Sequence, residues 1–178
     1  MLGDSFLKPE DAIESWDVRP GDKIADFGCG AGFFTIPIAQ RVGPQGMIYA
    51  IDVRQEALDA TKTKIKLFRL SNINLIRADL ESPRASGIKD EGIDKIIITN
   101  ILFQADDKNA ILREAFRVLK QNGTLFLIEW NEDSKTGPVL PNKINRGDVE
   151  KLCRSIGFVM YKNFYAGSHH YGLIFKKP

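Results

Sequence analysis

The chain has 178 residues, 43% hydrophobic and 27% charged, with a formal net charge of +2. That length allows one domain with a single core and leaves no room for a separate substrate domain, and the composition is ordinary for a soluble globular protein. No apolar run approaches the roughly 20 residues that span a bilayer, and so mild a charge argues against nucleic acid as a partner.

In chain order, Met1-Leu2-Gly3-Asp4 has neither a basic n-region nor an apolar h-region, which sets a cytoplasmic location as the expectation. Pro9 to Trp16 reads as a short helix, with Pro in its first turn and Glu10 and Asp11 near its positive end. Ile13 and Trp16, three apart, share one face. Asp17 to Asp22 turns the chain onward, so residues 1–22 form a helix and a lead-in. Phe6, Leu7 and Trp16 are candidates either to close over a ligand or to cover the sheet.

Lys23-Ile24-Ala25-Asp26-Phe27 is an apolar strand ending in an acid and a glycine turn, Gly28-Cys29-Gly30-Ala31-Gly32. The glycines permit positive φ and close approach of a ligand, and the helix that opens near Phe33 points unpaired N–H groups at it. Such a loop suits a carboxylate. It is not the dinucleotide fingerprint G-x-G-x-x-G, because Phe33 stands at the sixth position counted from Gly28 and Thr35 at the sixth from Gly30. Nor is it a P-loop, which needs a Gly-Lys-Ser/Thr ending that the chain lacks.

The helix runs from Phe33 to about Val42 and stops at Gly43-Pro44. Gly46 to Asp52 is a second strand, followed by Val53 and a helix from Gln55 to Arg69. Lys62, Lys66 and Arg69 lie on one face of that helix, as a solvated surface. Asn74 to Ala78 is a third strand, ending at Asp79-Leu80. After a polar loop from Glu81 to Glu91, Ile93 to Thr99 reads as a buried central strand that ends at Asn100-Ile101-Leu102-Phe103-Gln104.

Asp106 or Asp107 caps a helix running to Leu119-Lys120 and stopped by Gly123, and Thr124 to Trp130 is the fifth strand. The loop from Asn131 to Asn145, with Pro138 and Pro141, is long enough to suggest a role with substrate. A helix from Asp148 to Ser155 ends at Gly157. Phe158 to Tyr165 and Tyr171 to Phe175 are the last two strands, joined by a turn at Ala166-Gly167-Ser168. This alternation argues for a parallel sheet with helices on both faces. Cys29 and Cys153 are the only cysteines and form no C-x-x-C pair, so neither a disulfide nor a metal site is expected.

The run Asp26-x-Gly28-x-Gly30-x-Gly32 resembles motif I of the class I S-adenosylmethionine-dependent methyltransferases, in the broad group that includes the ubiquinone/menaquinone-biosynthesis C-methyltransferases. The resemblance implies a Rossmann-like, doubly wound, mostly parallel seven-stranded sheet with an antiparallel last strand, built as one domain over 1–178. It implies S-adenosyl-L-methionine as cofactor and S-adenosyl-L-homocysteine as product. Gly28, Cys29, Gly30 and Gly32 would pack on the methionine part above Asp26, and Asp52 with Val53 would hold the ribose. Asp79 would meet the adenine amino group and Leu80 its ring, and Asn100 would stand beside the reactive methyl.

The family's base-methylating enzymes carry Asn/Asp-Pro-Pro-Tyr/Phe at Asn100 to Phe103, and those prolines are missing. Base methylation is set aside on that ground, and the resemblance to the quinone-biosynthesis group, carried by motif I, Asp52, Asp79 and the strand order, implies a small-molecule methyl acceptor as partner. The N-terminus, the 131–145 loop or a second subunit would cover it, which leaves room for a homodimer. Glu129, His169 and His170 are the candidate bases, and Phe103, Trp130 and Tyr171 the aromatics that could face the sulfonium. Two other readings stay open: a domain that binds the cofactor without transferring its methyl, and a methyltransferase acting on protein or RNA.

Overall fold

The computed structural model describes residues 6–139 and 143–178. Met1 to Asp4, on which the leader reading rests, and Pro141 of the long loop lie outside them.

Seven strands form one sheet in the order β3-β2-β1-β4-β5-β7-β6. They are β1 (Lys23–Phe27), β2 (Met47–Asp52), β3 (Ile73–Arg77), β4 (Ile93–Thr99), β5 (Leu119–Trp130), β6 (Val159–Tyr165) and β7 (His170–Lys176). β1 pairs in parallel with both β2 and β4, and β7 runs antiparallel between β5 and β6. The expected Rossmann-like, doubly wound sheet with an antiparallel last strand is the fold observed.

Side chains of the central strands alternate between two cores, as the period of two requires. Ala25, Phe27, Ile96 and Ile98 face α4 (Lys108–Val118) and α5 (Arg146–Ile156). Ile24, Ile48 and Ile97 face α1 (Pro9–Ser15) and α2 (Thr35–Val42). On that second side Leu58 of α3 (Gln55–Leu67) packs with Ala50 and Cys29. Asp107 caps α4 by accepting the Ala110 N–H, and Gly157 ends α5 in the left-handed conformation.

Of the two readings of Trp16, the structure shows the one in which it covers the sheet: it is buried, with its ring stacked 4.4 Å from Phe126 and 5.4 Å from Phe34. One expectation needs correction. The helix expected to run to Lys120 and stop at Gly123 ends instead at Val118, and Leu119 already pairs with Ile93. The buried Lys177 ammonium explains the early stop. It donates to the carbonyls of Phe116 at 2.9 Å and Leu119 at 2.8 Å, supplying the unmet acceptors of the last turn. Gly123 serves the fold-back that follows, since a Cβ there would lie 2.6 Å from Leu119 Cγ.

Candidate functional site

The strand order reverses at β1: the chain leaves it for β2 and β3 on one side and then crosses from β3 to β4 on the other. In open α/β sheets such a point opens a crevice at the carboxyl ends of the strands. A cavity of about 520 Å³ lies there, lined by the β1 loop, Asp52 to Arg54, Ala78 to Glu81, Thr99 to Ile101 and the start of the segment before α4.

The glycine loop is held open from both sides. Gly28 has a φ of +74°, and a Cβ on it would meet Ile101 Cγ2 at 2.3 Å, so the turn after β4 lies directly against it. Gly30, at φ +54°, would leave an added Cβ with nothing within 4 Å, and it presents bare backbone to the cavity. Gly32, at +77°, does not line the cavity: a Cβ there would meet Thr61 Oγ1 at 3.0 Å, so its glycine lets α3 pack close. Thr61 also donates to the Gly30 carbonyl at 2.9 Å.

The acids are fixed by this same loop. Asp52 accepts the Gly30 N–H on Oδ2 and the Arg54 N–H on Oδ1, each at 2.9 Å; Oδ1 also takes the Arg54 Nε at 3.3 Å, which leaves Oδ2 with a lone pair for a ligand. Asp26 is buried and accepts the Thr35 hydroxyl at 2.6 Å; burial pushes its carboxyl up to about 6, against the pull of that hydrogen bond. Asp79 is exposed and accepts the Glu81 N–H at 3.0 Å, so it makes a turn and lines the cavity at once, beside the buried Leu80. Cys29 and Val53 line the same wall, and burial holds the Cys29 thiol well above its ordinary range.

Asn100 completes the wall with a φ of +54°. Its Nδ2 lies 3.1 Å from His170 Nε2, while its Oδ1 is buried with no hydrogen-bond partner among the described residues. An open glycine cradle, an aspartate oxygen with acceptor capacity left and an unmet amide oxygen fit a polar ligand that carries a cation and hydroxyls.

The three candidate bases lie behind this cavity, none among the residues that line it. Glu129 is fully buried and accepts the Leu102 N–H at 2.7 Å. Both histidines are buried too. The His170 ring lies against Trp130, tilted by 36° with centroids 4.0 Å apart, and burial lowers its pKa to about 4. His169 accepts or donates at Ser134 Oγ, 3.1 Å away, and lines a second, polar cavity of about 680 Å³ with residues 131–136 and Tyr171.

Phe103, Trp130 and Tyr171 are likewise absent from the first cavity, and the aromatics that line it are Phe33 and Phe34. Sequence reasoning missed Thr35, Thr61 and Ile101 as supports of the loop. Thr61 had one usable signal, its place three residues after Leu58 on the buried stripe of α3.

Residues 19–171 match the protein family described as "Methyltransferase domain". The chain belongs to this methyltransferase-domain family. The domain is 30% identical over 129 residues to a demethylmenaquinone methyltransferase from a Geobacillus species, covering 72% of this chain and 53% of that protein. It is 33% identical over 121 residues to the ubiquinone/menaquinone biosynthesis C-methyltransferase UbiE of Pasteurella multocida, covering 67% and 44%. The chain thus spans about half the length of these curated relatives.

Among solved structures, the methyltransferase domain superposes on a SAM-dependent methyltransferase from Aquifex aeolicus with a TM-score of 0.89 at 22% identity, covering 97% of this chain and 91% of that one. It also superposes on the [4+2]-cyclase SpnF with a TM-score of 0.82 at 17% identity, covering 96% and 79%. At those identities the likeness is one of fold. The cyclase shows that a fold and its reaction are separate matters.

Proposed function

We propose that this chain is an S-adenosyl-L-methionine-dependent methyltransferase acting on a small-molecule acceptor. The observation that carries the reading is the convergence of Asp26 to Gly30, Asp52, Asp79-Leu80 and Asn100, from four strand ends, on one cavity of about 520 Å³. The cofactor supplies an electrophilic methyl on a sulfonium, which the acceptor's nucleophile takes in line, leaving S-adenosyl-L-homocysteine.

Each residue has a task suited to its chemistry. Gly28 and Gly30, lacking Cβ atoms, let the backbone come close to the amino-acid end, with Asp26 beneath. Asp52 accepts from the ribose hydroxyls in short charge-assisted hydrogen bonds. Asp79 and Leu80 hold the base, by hydrogen bond and by packing. Asn100 offers its unmet amide oxygen beside the methyl, and Phe33 helps exclude water, so that alignment supplies most of the rate. His170 acts on this region only through Asn100. The relatives' names make demethylated quinone precursors the first acceptors to screen, with carbon the first atom to examine for methylation.

Calorimetric titration with S-adenosyl-L-methionine and S-adenosyl-L-homocysteine tests the reading. Saturable binding is expected, weakened by about tenfold or more in Asp52→Asn, where a charge-assisted pair becomes a neutral one. Folded wild-type protein that binds neither compound would overturn it.

A further inference from the structure

The turn from Asn100 to Gln104 is a wall of the cavity, yet little of its own chemistry holds it in place. Its entry takes a positive φ at Asn100, and its body, Leu102–Gln104, is a single 3-10 turn. One such turn has too few internal hydrogen bonds to be stable alone. It nonetheless packs against Gly28 through Ile101 with no slack.

Two side chains reach it from behind. His170, at the start of β7, meets the Asn100 amide. Glu129, near the end of β5, is 0% exposed and takes the Leu102 N–H at 2.7 Å. The other Glu129 oxygen, Oε2, has no partner among the described residues. A buried carboxylate turned onto the backbone N–H groups of a single turn is costly unless those contacts fix something.

We infer that Glu129 is a positioning residue, a clamp that holds the Asn100–Gln104 turn against Gly28 and so shapes the cofactor wall, rather than a base that meets the acceptor. Its effect on cofactor affinity rests on the function proposed above; its effect on the turn does not. The geometry gives the clamp direction. Glu129 faces the N–H end of the turn, where a negative group is favoured, and lies outside the cavity where an acceptor would sit. Burial pushes its carboxyl up to about 7, while the N–H groups of Leu102, Ile101 and Phe103 and the charge of Lys108 pull it back.

Amide hydrogen exchange of the unliganded protein, paired with S-adenosyl-L-homocysteine titration, separates the clamp from a base. In Glu129→Leu the Leu102 amide is expected to exchange about tenfold faster or more, the factor carried by one lost hydrogen bond to a charged group. Affinity for S-adenosyl-L-homocysteine should fall by a similar factor. Glu129→Gln, which keeps an acceptor oxygen, should stay near wild type in both.

Should Glu129→Leu fail to fold, Glu129→Asp replaces it: one methylene short, it keeps the charge but loses the reach, and the same deprotection is expected. Unchanged Leu102 exchange in the Leu or Asp variants overturns the clamp, as does a Gln variant as deprotected as the Leu one. If wild type binds no S-adenosyl-L-homocysteine, the exchange data still decide the clamp, and only the cofactor reading falls.

Discussion

Gly28 and Gly30 share a backbone conformation and differ in what surrounds them. At Gly28 an added methyl meets Ile101 at 2.3 Å in addition to the strain of positive φ. Gly28→Ala is therefore expected to lower stability by about 2 kcal/mol or more in denaturant titrations. At Gly30 the space is open, so Gly30→Ala carries only the backbone cost of about 1 kcal/mol, but its methyl projects toward the cavity. That variant should fold and lose most cofactor binding by calorimetry. The reverse pattern would mean that the loop faces the other way.

Glu129 adds a pH signature. Its folded pKa is raised from 4.5 to about 7, so between those values the folded chain keeps a proton that the unfolded chain releases. Stability then falls as pH climbs through that window and levels off above it. Asp26, raised from 3.8 to about 6, pushes the same way, and His170, lowered from 6.5 to about 4, pushes oppositely. A comparison isolates the one group: relative to wild type, Glu129→Gln should gain stability as pH rises from about 5 to about 8, up to roughly 3 kcal/mol at about 1.36 kcal/mol per unit. Parallel stability profiles for the two proteins would remove Glu129 from the account.

At the scale of elements, most starts and stops were legible because they rest on local rules. Asp107 caps α4, Gly157 ends α5 and Gly43 ends α2, each from its own residue chemistry. The end of α4 was not legible, because its determinant is Lys177, 58 positions beyond Leu119. No local pattern announces a distant ammonium. Trp16 was ambiguous for a related reason: an aromatic on a short helix covers a ligand or a sheet with the same sequence, and its partners Phe34 and Phe126 come from two other segments. Lys177→Met keeps an apolar stem of similar length and removes the ammonium, whose Nζ lies 4.7 Å from the Phe116 ring centroid. It is expected to cost about 2 kcal/mol and to speed exchange in the last turn of α4, with cofactor binding unchanged.

For the whole molecule, the topology does the gathering. Residues as far apart in sequence as Asp26 and Asn100 meet because β1 lies between β2 and β4, and the rule for open sheets makes that meeting place legible from strand order alone. What strand order does not reveal is depth. Glu129, His169 and His170 end up at the same edge of the sheet but behind the cavity wall, since β5 and β7 lie beyond β4 and their ends are covered by the 131–139 segment.

That covering has a further consequence. Gly137 sits so close over the Trp130 ring that a Cβ would lie 2.5 Å from it, and His170 touches the ring with its centroid 4.0 Å away. The second indole, Trp16, lies under the same face of the sheet but deeper, stacked on Phe126 and Phe34. The chain thus carries one fluorophore fixed in the core, a constant background, and one whose quantum yield follows the loop and the imidazole, so emission changes on adding an acceptor would report, without any label, whether the loop has lifted from the strand end.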